Sequence, residues 1–291
     1  GTAAAGARVV TVALVRDCFT GRAMARVMSL AVIVFMAAPI IAPAFGQAIL
    51  LVGSWRLIFW GVAAAGAAVL AWFWLRLPET LGPDARQTLN PGRILRDYAL
   101  VLRDRYAVGY TLAAAAISGA LFGCIGSVQQ IMADVFRAPE LLTPVFACVA
   151  GTMAVGAFAN SRIVMRMGMR PISHTALTVL IAIAIVHLAV AWSGAESIWS
   201  FALLQALMMG CFGLVGANFS AMAMERMGAI AGTASSLQGF VTTFGGALIG
   251  AEIGQRFDGT AVPLYLGFVL MGLFALAVVA VTERGRLFRP S

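Results

Sequence analysis

The chain has 291 residues, 61% of them hydrophobic and only 11% charged, with a mean hydropathy of +0.93. That composition excludes a soluble globular core and indicates a polytopic membrane protein of all-α class, a transmembrane helix bundle. The net charge of +8 comes from 20 basic residues, every one an arginine, against 12 acidic ones. Because these arginines fall between apolar runs, they read as topology signals and give no reason to expect nucleic acid.

In chain order, apolar runs delimit one partial and eight complete spans: 1–15, 27–52, 57–75, 108–132, 144–159, 172–192, 198–222, 229–253 and 263–281. Each complete run approaches the ~20 residues that cross a bilayer, the run from Pro144 being the shortest. No signal peptide is visible, and the first run starts at Gly1 about half a span before Arg16, so an N-terminally truncated fragment is expected. Alternate connections hold sixteen arginines and the opposite ones only three, Arg56, Arg137 and Arg256. The rich set is therefore expected on the cytoplasmic side. Three domains follow: 1–77, the end of a first helix bundle; 78–107, a cytoplasmic linker; and 108–291, a six-helix bundle with a cytoplasmic tail.

The second span carries an interruption. Pro39 and Pro43 are one turn apart in AAPIIAPAFGQ, and each removes a backbone donor that lipid cannot replace. Ala42 and Gly46, small residues on the same stretch, allow a second backbone to come close. Within the linker, Ile94, Leu95, Tyr98, Val101 and Leu102 share a face, which predicts an amphipathic helix on the membrane surface. A weaker pattern pairs GARVVTVALVR (6–16) with GANFSAMAMER (216–226), setting Arg8 opposite Asn218. Parallel repeats of this kind occur in transporters built from two related halves.

Arg8 is the first functional candidate, since eight helical residues before Arg16 place it ~12 Å deeper in the apolar layer. It either lines a wet pathway or snorkels and pairs statically. Gln129, Gln130, Gln205 and Asn218 are the polar side chains of otherwise apolar spans, with Gln238 in the next. Each either lines a central aqueous pathway or makes an interhelical hydrogen bond. Glu252 and His187 are the titratable groups to consider for protons. Cys124, Cys148 and Cys211 lie in apolar runs and Cys18 in a basic loop, with no spacing for disulfides or metal. No cofactor is expected, and no motif for an enzyme is present.

Taken together, VRDCFTGRAMARVMSL, APIIAPAFGQ, SWRLIFW and LPETL, followed by NSRIVMRMGMR, GANFSAMAME and AGTASSLQG, resemble Bcr/CflA-type drug-resistance transporters of the major facilitator superfamily. The resemblance covers nearly the whole chain. It implies that the nine spans are helices four to twelve of a twelve-helix fold in the bacterial inner membrane. It also implies a proton-coupled multidrug efflux carrier that exchanges small lipophilic or cationic drugs for protons, as a monomer. The family's antiporter motif G-P-x-x-G-G is matched at Ala42, Pro43 and Gly46, with Ala for the first Gly and Gln47 for the last. Arg162, Arg166, Gly168 and Arg170 resemble the gating loop between helices eight and nine, without its Asp. The alternatives are a major facilitator carrier for a specific metabolite, a membrane enzyme or a non-transporting scaffold.

Overall fold

The structure, a computed structural model, describes residues 41–42, 45–76, 91–227 and 230–289. Arg8, Pro39 and Pro43 lie outside the described residues, as do the first span and the repeat partner at 6–16. The chain divides into two compact units, Gly1–Leu89 and Asn90–Ser291. In the first, residues 45–52 are helical, Ala42 and Gly46 lie on helical backbone, and helix α1 (Arg56–Arg76) has no buried residue of its own. An apolar helix without a covered face is stable only in lipid or against a partner.

The second unit begins with α2 (Pro91–Arg103) and turns directly into α3 (Arg105–Gln130). The turn is set by Asp104, whose carboxylate accepts from the amides of Tyr106 and Ala107 at 2.9 and 2.8 Å and so satisfies the first donors of α3. The amphipathic face expected of α2 is divided. Val101 is buried in a small cluster with Ala107, Met227 and Ala234, and Tyr98 reaches Ser236 at 3.5 Å. Leu95 and Leu102 remain exposed.

The remaining helices are α4 (Leu142–Met167), α5 (Met169–Trp192), α6 (Ile198–Met224), α7 (Ala231–Phe240), α8 (Gly246–Gln255) and α9 (Val262–Thr282). A π-helical turn, Val241–Gly245, joins α7 to α8, so these form one continuous rod, and a second π turn, Ile131–Val135, ends α3. Among the described residues six helices are long and apolar enough to span a membrane. They coincide with the expected runs, but α4 is longer than its run 144–159, because Arg162 and Arg166 occupy its last turns. What was expected as a gating loop is thus a single break at Gly168, whose φ of 83° is open to glycine without strain.

Two three-helix groups build the core. α3 packs on α8 and α9, α6 packs on α4 and α5, and the groups meet where α3 touches α6 and α5 touches α9. Helix association in lipid depends on close backbone approach. At the α4–α6 contact a side chain at Gly156 would strike the Gly210 carbonyl, and one at Gly213 would strike the Met153 carbonyl.

Candidate functional site

The interior amides tie helices together. Asn218 on α6 donates to the Asn160 side-chain oxygen at 2.7 Å and Asn160 donates back at 3.3 Å. Both are buried, so the pair satisfies groups that lipid would leave orphaned. Gln205 donates to Cys124 Sγ at 3.2 Å, while its own oxygen is buried without a partner. Gln238 donates to Ser220 Oγ at 3.2 Å, linking α7 to α6. Of the two readings open for these residues, Gln205 and Asn218 make interhelical bonds in this state.

Open spaces lie in the second unit, among them a groove and a smaller cavity. The larger, about 620 Å³, is a groove between α3 and α8 lined by Phe122, Gly126, Gln130, Gly250, Gln255 and Phe257. A smaller one, about 100 Å³, lies among Ile117, Ser118, Phe212, Gly216, Ser220 and Thr242, where α3, α6 and the π turn Val241–Gly245 converge. Gln130 thus faces the larger groove, and Gln129 is exposed. Asn218 lines neither space but lies between Gly216 and Ser220, which line the smaller. Glu252 is exposed and pairs with Arg256 one turn on, at 2.6 Å.

At the arginine-rich end, one cluster gathers the ends of four helices. Arg170, at the start of α5, holds Glu283 after α9 at 2.7 Å and Glu225 after α6 at 3.1 Å. Tyr110 on α3 donates its hydroxyl proton to Glu283 at 2.6 Å. His174 Nε2 lies 3.2 Å from that hydroxyl, and His174 Nδ1 accepts from the Phe288 amide at 3.2 Å. Because Nδ1 is an acceptor, the imidazole proton resides on Nε2 and points at Tyr110. Both imidazole nitrogens and the tyrosine hydroxyl are therefore engaged.

Glu283 feels opposing influences. Burial pushes its carboxyl up, but the hydrogen bonds from Tyr110 and Arg170 and the guanidinium charge outweigh it and hold it below the ordinary range. Close approach here depends on Gly109, since a side chain in its place would run into Thr282. Of the four residues predicted as a gating loop, Arg170 belongs to this latch, while Arg162 and Arg166 are exposed on α4.

Sequence reasoning missed Glu225, Glu283, Tyr110 and Asn160. The two glutamates stand beside arginines in segments read only for positive charge, and Asn160 falls one residue past the expected end of its run.

A family profile described as Major Facilitator Superfamily matches residues 1–251. The chain is 30% identical, over 94% of its length and 68% of the relative's, to a protein of Haemophilus influenzae named as a bicyclomycin resistance protein homolog. It is 28% identical, over 97% of its length and 70% of the relative's, to YdgK of Bacillus subtilis, an uncharacterized MFS-type transporter.

Proposed function

We propose, for a chain that belongs to the Major Facilitator Superfamily, the work of a proton-driven exporter of small lipophilic or cationic drug-like compounds in the bacterial cytoplasmic membrane. The observation that carries the reading is the 30% identity, along 94% of the chain, with a relative whose name is that of a drug-resistance protein homolog. Transport proceeds by alternating access, and proton and drug drive it by binding the two states with different affinity. Arg8, Gln129 and Gln130 are assigned to the pathway, together with the small space beside Asn218 and the groove that Gln130 and Gln255 line. Gln205 and Asn218 act as hinges of that pathway, holding α6 to α3 and α4. The Ala42, Pro43 and Gly46 stretch, whose proline lacks a backbone donor, and the α7–α8 rod, which a π turn interrupts, form the moving surfaces. The cluster around Arg170 is the closure at the arginine-rich end, and the carrier works as a monomer.

The test is accumulation in cells that express the complete protein. Expression lowers the steady-state level of a lipophilic fluorescent cation and of bicyclomycin, and a protonophore restores both. Unchanged drug levels with raised uptake of an amino acid or sugar would replace export by a metabolite carrier. No change for any solute would remove transport by this chain from the account.

A further inference from the structure

The end of the second unit opposite the arginine-rich one holds a second buried ionisable cluster. His187, on the last third of α5, is fully buried, and neither of its ring nitrogens makes a hydrogen bond. Its Nε2 lies 3.4 Å from the carboxylate of Glu196, which accepts a short hydrogen bond from the hydroxyl of Tyr265 on α9. The imidazole stacks on the Tyr265 ring at 3.6 Å between centroids and meets the Phe201 ring of α6 at 6.0 Å. Buried polar atoms are nearly always bonded, so a buried imidazole with both nitrogens unused beside a carboxylate calls for an explanation.

The connection between α5 and α6 puts Glu196 there. Gly194 turns the chain with a φ of 73°, and Ser197 caps α6 through a reciprocal bond with Ser200. Glu196 is thereby held one residue before a helix N-terminus, where the backbone dipole favours a negative charge. Its side chain is only 8% exposed. Among the described residues its charged or hydrogen-bonding partners are Tyr265 and His187 alone.

Among the described residues no cation from a neighbouring element pairs with Glu196. α3 presents Cys124, occupied by Gln205, and α6 presents Phe201 and Gln205. Asp134 and Arg137 beyond α3, Glu252 and Arg256 on and after α8, and Asp258 before α9 are all exposed to solvent.

We infer that His187, Glu196 and Tyr265 form a proton-binding site, loaded from the aqueous side that the α5–α6 connection faces. With no proton bound beyond the Tyr265 hydroxyl's own, the site is a buried carboxylate beside a neutral imidazole and carries one negative charge. One proton from water taken up by the imidazole makes the pair net neutral and sets an imidazolium 3.4 Å from the Glu196 carboxylate. Burial opposes charging the imidazole, and the carboxylate facing it is what offsets that cost. That the proton is the one exchanged for drug rests on the export reading; that it binds does not.

The experiment uses the complete protein in lipid, labelled with ¹⁵N-histidine, with the His187 signals assigned through His187→Gln. The His187 ring should take up a proton between about pH 5 and 8, the range in which imidazoles change charge. Glu196→Gln should weaken that uptake about tenfold or more, since one unit of affinity corresponds to loss of the facing charge. Tyr265→Phe should strengthen it, because the carboxylate loses a competing donor. A His187 ring that keeps one protonation state across that range in the wild type overturns the inference without any variant. So does an uptake that Glu196→Gln leaves unchanged. Drug-evoked proton flux is recorded on the same samples: its absence from wild type sinks the export reading while the titration still decides the site, and its persistence at full size in Glu196→Gln sinks the site's part in exchange.

Discussion

Helix α5 carries a histidine toward each end, His174 and His187, thirteen residues or ~20 Å apart. Each lies against a tyrosine whose hydroxyl donates to a glutamate, and both imidazoles are fully buried. At the arginine-rich end the glutamate is neutralised by Arg170, and both imidazole nitrogens are engaged, by Tyr110 and by Phe288. At the other end, among the described residues, no arginine pairs with the glutamate, and both nitrogens are idle. Identical residue types thus give a latch whose charge is fixed in one place and a site able to gain a proton in the other. The decisive variable is the third partner, a permanent cation or none.

The most damaging change to this contrast is Arg170→Ala. It leaves Glu283 buried without its cation, which typically costs about 3 kcal/mol. The melting temperature in detergent should fall clearly, and Glu283→Gln added to it should recover most of the loss. Gly213→Ala strikes midway between the two ends, forcing α4 away from α6. Overpacking of this kind costs ~1–3 kcal/mol, and the same melting assay should register it. Asn218→Ala, which breaks the amide pair with Asn160, should cost only about 1 kcal/mol, as interhelical bonds in lipid usually do.

The smallest effect is the most instructive. Ending the chain at Leu287 removes the Phe288 amide from His174 Nδ1, a bond whose net contribution is ~1 kcal/mol. With Arg170 still in place the His174 ring should nonetheless keep one protonation state by ¹⁵N labelling, unlike His187.

Acid provides an independent check. Glu283 is held below its ordinary value of about 4.5, so its contribution to stability is complete above that value and is lost as pH falls beneath it. Melting followed from neutral pH down to about pH 5 should show no loss from the latch. A loss in that interval that Arg170→Ala abolishes would contradict the assignment.

Much of the architecture was legible in the sequence because the membrane imposes it. A helix must be about twenty apolar residues long whatever it packs against, so the runs at 108–132, 172–192, 198–222 and 263–281 reappear as α3, α5, α6 and α9. The run at 144–159 was cut short since hydropathy stops at the first arginine, whereas backbone bonding continues to Met167. The clusters were less legible. His187 could be singled out as a lone titratable residue, but its partner Glu196 lies in a connection and Tyr265 follows almost eighty residues later. Glu283 and Glu225 were invisible for a different reason: charges near the ends of spans are read for topology, and only the packing of α5, α6 and α9 shows which of them meet.

The central claim, export driven by protons, is tested most directly by reconstituting the complete protein in liposomes with an imposed pH gradient and recording proton movement as lipophilic drugs are added. The account predicts drug-evoked proton flux in wild type that Glu196→Gln and Arg8→Ala each diminish. Silence with every drug, accompanied by flux on addition of an amino acid or a sugar, would contradict it and make the protein a metabolite carrier.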